Sequence, residues 1–134
     1  MKTFHLEIVT PDGLFFDGQA QRVIVRTVAG DVGILAGHAD YVTALGMGRA
    51  KVVFEDGTER FAACIGGMLA VSHGEVKVVA TTFEWSEDID VARAQRSKER
   101  AETVLQNKSS HTSEEIALAE ARLKRALVRT GSAK

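Results

Sequence analysis

Eleven of the twelve glycines fall within residues 13–74, and residues 75–130 contain none. Glycine enters left-handed dihedrals freely and weakens a helix interior, so the first stretch is built for turns and the second is free to be helical. The glycine-rich part carries short β-branched and aromatic runs between turn signals, the pattern of an antiparallel sandwich or barrel. Strands are expected near Phe4–Val9, Gln21–Thr27, Asp31–Leu35, Arg49–Phe54, Glu59–Ala63, Met68–Ser72 and Glu75–Ala80. Pro11-Asp12-Gly13, Glu55-Asp56-Gly57 and Ser72-His73-Gly74 supply the turns; the second joins two alternating runs as a hairpin should.

From about Asp88 the period becomes helical. Ile89–Asn107 is rich in Ala, Arg, Glu and Gln, and the polar break Asn107-Lys108-Ser109-Ser110-His111 ends it. Thr112 with Glu115 three residues on is a capping box, which starts a second helix running to about Arg129. The expected organisation is therefore an antiparallel β-sandwich over residues 1–87 followed by a two-helix antiparallel hairpin over 88–134. Ile116, Ala119, Leu123 and Ala126/Leu127 form the apolar stripe of the second helix, and Val91, Ala94, Ala101 and Leu105 that of the first. Alanine-rich stripes allow close approach but bury little area, so at roughly 25 cal/mol per Å² the hairpin is marginal by itself.

With 45% hydrophobic and 26% charged residues in 134, the chain is in the globular range. Its net charge of −1 provides no global field toward nucleic acid. The charge is unevenly placed, net −4 over residues 1–87 and +3 over 88–134. Residues 121–134 hold Arg122, Lys124, Arg125, Arg129 and Lys134 and no acid. Such a helix suits an acidic surface or a polyphosphate, or is simply a solvated end that complements the helix dipole. The single cysteine excludes an internal disulfide, and no apolar run reaches the roughly 20 residues of a membrane-spanning helix.

Catalytic signatures are lacking. His5, His38, His73 and His111 show no paired metal-ligand spacing, so no metal site is expected. Cys64 lies in the apolar run Ala62-Ala63-Cys64-Ile65, as a structural thiol would. No serine occupies a G-x-S-x-G elbow, and neither Gly46-Met47-Gly48 nor Gly66-Gly67 matches a dinucleotide or P-loop pattern.

The segment Gly30-Asp31-Val32-Gly33-Ile34-Leu35-Ala36-Gly37-His38-Ala39-Asp40-Tyr41-Val42-Thr43-Ala44-Leu45 resembles the signature of the epsilon subunit of F-type ATP synthases. Phe4-His5-Leu6-Glu7-Ile8-Val9-Thr10-Pro11, Ile65-Gly66-Gly67-Met68-Leu69-Ala70-Val71, Ile89-Asp90-Val91-Ala92-Arg93-Ala94 and Leu123-Lys124-Arg125-Ala126-Leu127 are similar to that family in the same order, over nearly the whole chain. Ala36-Gly37 departs from the proline or asparagine that the family often places beside the histidine. The resemblance implies a non-catalytic subunit that docks its sandwich on the gamma subunit and the rotor c-ring, at the cytoplasmic face of the bacterial cell membrane without inserting into it. It also implies a hairpin that switches between a compact form and an extended one, in which Arg122, Lys124, Arg125 and Arg129 meet acidic segments of the beta subunits within the alpha and beta head and block hydrolysis. Two rivals stay open from the residues: a free-standing nucleotide sensor, and a small hydrolase using a perturbed His or Cys.

Bacterial epsilon subunits that bind ATP carry Ile or Leu, Asp, two variable residues, Arg and Ala, which Ile89-Asp90-Val91-Ala92-Arg93-Ala94 matches. Carried over by position, the resemblance implies ATP as a regulatory ligand of Glu84, Ile89, Asp90, Arg93, Ala94, Arg100, Arg125 and Arg129, with no residue that requires magnesium. Asp90, Arg93 and Arg100 share one side of the first helix, and Arg125 and Arg129 one side of the second. Convergence of those sides would gather four guanidiniums around one acid, a repulsive arrangement that an anion relieves. The alternative is a set of ordinary solvated arginines.

Overall fold

The structure, a computed structural model, describes residues 2–132; Ala133 and Lys134, the end of the predicted hairpin and of its basic tail, lie outside the described residues. Seven strands come first: β1 (Phe4–Thr10), β2 (Gly13–Thr27), β3 (Gly30–Leu35), β4 (Tyr41–Ala44), β5 (Met47–Phe54), β6 (Glu59–Ser72) and β7 (Glu75–Trp85). A single 3-10 turn over Ser86–Asp88 leads to α1 (Val91–Gln106), and a second over Lys108–Ser110 to α2 (Ser113–Ser132).

The pairings β1–β2, β2–β5, β5–β6 and β6–β7 are antiparallel, and β1–β7 closes the ring. Strand direction must alternate along antiparallel neighbours, and a ring of five cannot alternate throughout. The closing β1–β7 pair is accordingly parallel, in a sandwich that is otherwise antiparallel as expected. β3 adds to β2 and β4 to β6.

The predicted strands Glu59–Ala63 and Met68–Ser72 are one strand, β6, bent at Gly66-Gly67. Ile65 faces Met47 on β5 and Met68 faces Ala44 on β4 in one continuous register. β4 and β5 thus bend together at Leu45-Gly46, where the Leu45 amide donates to the Gly67 carbonyl at 2.9 Å and the Gly66 amide to the Gly46 carbonyl at 3.0 Å. The bend turns the sheet over its own core. Gly67 has φ +114°, and a Cβ there would sit 1.9 Å from the Val79 carbonyl oxygen, so no other residue fits unchanged.

Strand β4 and the first half of β2 were not anticipated. Gly13–Gln19 is mostly exposed, with Leu14 60% and Phe15 37% open to solvent, and its inward positions Phe16 and Gly18 are only half-buried, an alternation that one aromatic and one glycine do not announce in the sequence. Its pairing with β1 makes it a strand.

The main core runs from Phe4 to Trp85 and includes Leu6, Ile8, Val23, Val25, Ile34, Val52, Leu69 and Val78, but no residue of either helix. The hairpin is held separately. Ala94 and Ala101 of α1 and Ala119 and Ala126 of α2 are buried, whereas Val91 and Leu127, predicted for the stripes, are 49% and 46% exposed. The inter-helix seam is therefore narrower and richer in alanine than expected, while α2 packs over β5 and β6.

Candidate functional site

β7 alternates as it leaves the core: Phe83 and Trp85 point inward, so Thr82 and Glu84 lie on the side facing the hairpin. On α1 the spacing of Arg93, Ser97 and Arg100 keeps all three on one face. α2 brings Arg129 back to the same place. Together with Asp88, Asp90 and Ala94 these residues line a polar cavity of about 480 Å³ between sheet and hairpin.

Of the eight residues expected at a nucleotide site, the cavity gathers Glu84, Asp90, Arg93, Ala94, Arg100 and Arg129. Ile89 is buried at 8% exposure beside it rather than lining it. Arg125 is half-buried one turn before Arg129 and does not line the cavity. Three guanidiniums thus meet three carboxylates, not four meeting one, because Glu84 and Asp88 approach from the end of β7 and the following turn. The repulsion inferred from sequence is correspondingly offset.

The individual groups differ in engagement. Arg129 Nε donates to Glu84 Oε1 at 2.7 Å, with the two side chains only 29% and 34% exposed. Asp90 is the N-cap of α1: its Oδ1 accepts from the Arg93 amide at 2.9 Å, so its carboxylate has a structural task. Arg93 and Arg100 form no ion pair among the described residues and present free donors to the cavity. Thr82, Asp88 and Ser97 line it too and were not anticipated. Period-two alternation from Glu84 leads to Thr82 and one helical turn from Arg93 to Ser97, whereas no pattern pointed to Asp88.

The four basic residues assigned to a partner contact separate into two kinds. Arg122 and Lys124 are exposed and without an ion pair among the described residues, but two positions apart on α2 they face different sides. Arg125 and Arg129 are half-buried, and Arg129 is already engaged by Glu84.

The groups a hydrolase would need are otherwise occupied. Burial pushes the Cys64 thiol up to about 12, far from a thiolate at neutral pH. His38 Nδ1 lies 2.7 Å from the Ala39 carbonyl oxygen, with its ring against Tyr41. His111 holds Glu115, whose carboxylate is lowered first by that bond and then by Thr112.

On the outer face of the sheet, cross-strand register aligns Ala44, Met68, Val79, Val9 and Leu14 across β4, β6, β7, β1 and β2. Met68, Val79 and Leu14 are 46%, 40% and 60% exposed. This row is an exposed apolar patch that runs across the sheet's outer face. No helix among the described residues is long and apolar enough to cross a membrane.

Residues 3–86 match the family model of the ATP synthase delta/epsilon chain β-sandwich domain, and residues 87–130 that of its long α-helix domain. The ATP synthase epsilon chain of Ruminococcus albus is 45% identical over 130 residues, covering 96% of this chain and 95% of the relative. That of Caldanaerobacter subterraneus is 41% identical, covering 96% and 91%. Among solved structures, a chain of the Euglena gracilis mitochondrial ATP synthase superposes with a TM-score of 0.79 at 23% identity, covering 91% of this chain and 76% of that one, a likeness of fold. Two family models that together span nearly the whole chain, and relatives of matching length, place this chain in the ATP synthase delta/epsilon chain family.

Proposed function

We propose that the chain serves the rotary ATP synthase as a non-catalytic central-stalk subunit whose helical hairpin restrains ATP hydrolysis, with ATP as the ligand that favours the compact hairpin. The sandwich docks on the gamma subunit and the rotor c-ring at the cytoplasmic face of the cell membrane, and the apolar row from Ala44 to Leu14 supports such a contact. In an extended hairpin α2 leaves the sheet and Arg129 parts from Glu84, so Arg122, Lys124, Arg125 and Arg129 are all free to meet acidic segments of the beta subunits beside the alpha subunits.

The observation that carries the ATP reading is the polar cavity in which Arg93 and Arg100 converge without ion pairs among the described residues. A triphosphate accepts charge-assisted hydrogen bonds from such donors, each worth roughly 1.5–3 kcal/mol. The site joins residues of β7, α1 and α2, so a ligand there binds only the compact form and shifts the balance by its differential affinity. ATP at a hundred times its dissociation constant should add about 2.7 kcal/mol to the stability of the compact form. Calorimetric titration of the full chain tests this. Arg93→Ala should weaken binding about ten- to a hundredfold, from the loss of one such bond. A wild-type titration without heat, and a melting curve unmoved by millimolar ATP, would remove ATP from the reading.

A further inference from the structure

The cavity's third guanidinium is not free. Arg129, near the end of α2, donates to Glu84 on β7 across 45 residues of chain, and both side chains are largely withdrawn from water. A pair so withdrawn resists separation more than an exposed one, because each partner would be left partly desolvated and alone. A carboxylate and a phosphate seek the same guanidinium donors, and the two anions repel when placed side by side. Glu84 therefore cannot keep Arg129 and also neighbour a phosphate without penalty.

We propose that Glu84 is a built-in surrogate for the ligand's phosphate, holding Arg129 in the unliganded chain and yielding it when a polyanion enters. The inference rests on the nucleotide reading of the cavity and adds how that site is regulated. Position-by-position resemblance makes Glu84 a binding residue whose loss weakens binding; the geometry gives the opposite sign. The same pair ties α2 to the sheet in the absence of ligand, so the ligand exchanges one anionic bridge between Arg129 and its surroundings for another. Two consequences follow. The carboxylate lowers apparent affinity, and it keeps the empty hairpin docked, which reduces the stabilisation that ligand binding can add.

The experiment uses the full chain as wild type, Glu84→Gln, Arg129→Gln and the double variant. Glutamine keeps the size of the side chain and removes the charge. In calorimetric titration, Glu84→Gln should bind ATP roughly fivefold more tightly than wild type, because its guanidinium partner is no longer held out of the binding-competent state. Without ligand, each single variant should lower the melting transition of the hairpin, and the double variant should lower it no further, as expected when both remove one interaction. The ATP-induced rise in that transition should be larger in Glu84→Gln than in wild type. Weaker ATP binding by Glu84→Gln than by wild type overturns the surrogate role while leaving the nucleotide site standing. Additive losses in the double variant overturn the pairing. Binding by Glu84→Gln where wild type gives none supports the proposal in its strongest form, whereas no binding by either overturns the nucleotide reading and this inference together.

Discussion

At Gly67 a methyl group would meet the Val79 carbonyl oxygen at 1.9 Å in a backbone with φ +114°. Both the contact and the dihedral oppose a side chain, so Gly67→Ala should destabilise the sandwich by about 3 kcal/mol or more, read from its thermal or denaturant unfolding. His5 tests a different residue-scale force. Its Nε2 lies 2.5 Å from Asp17 Oδ1 and its Nδ1 3.5 Å from Glu75, and the Asp17 hydrogen bond in particular raises its pKa above the ordinary 6.5. A raised folded-state value means the imidazolium is favoured in the fold, so its contribution is complete below pH 6.5 and fades as pH climbs through the raised value. The melting difference between wild type and His5→Gln should therefore be present in mild acid and shrink toward mildly alkaline pH. A difference that grows with pH would refute the assignment.

The start of each helix is fixed by one short motif. Glu115 donates its amide to Thr112 Oγ1 at 3.2 Å, and the Thr112 amide donates back to Glu115 Oε1 at 3.4 Å. Thr112→Ala should cost about 1 kcal/mol, seen as a lower melting temperature of the hairpin. Asp90 opens α1 in the same way while also lining the cavity, so two roles are superposed there. Asparagine caps about as well as aspartate, whereas alanine does not. Asp90→Asn should keep the helix and Asp90→Ala lose about 1 kcal/mol of it. If the carboxylate contacts ligand, both variants weaken ATP binding; if it is a cap alone, Asn leaves affinity unchanged.

Sandwich and hairpin meet through a small number of side chains. The main core contains no helical residue, and the buried apolar side chains of the two helices are Ala94, Ala101, Ala119 and Ala126. Removing residues 88–134 should leave a cooperatively melting sandwich that still captures the gamma subunit; loss of the cooperative transition would show that the helices belong to its folding unit. Replacing Arg122 and Lys124 together by alanine should raise ATP hydrolysis by the assembled synthase, most visibly at low ionic strength because exposed charges are screened by salt. Hydrolysis unchanged at every salt concentration would argue against an electrostatic contact by this helix.

Short-range chemistry made much of this protein legible in one dimension. Gly57, His73 and Gly74 adopt positive φ values that few other residues tolerate, the Thr112–Glu115 spacing closes within a single turn, and the glycine-free stretch over residues 75–130 permits helices. These depend on neighbours within about four positions, so sequence alone settled them. The parallel β1–β7 pair, the continuous β6 and the exposed first half of β2 depend on partners far along the chain, and closure of a five-strand ring decided them. The cavity divides the same way. The helical period placed Arg93 and Arg100 on one face, but that Glu84 would reach Arg129, that Asp88 would enter and that Arg125 would stay outside was decided by how α2 lies across β5 and β6. Periodicity orients a side chain about its own element, whereas only packing fixes which two elements bring their charges within hydrogen-bond reach.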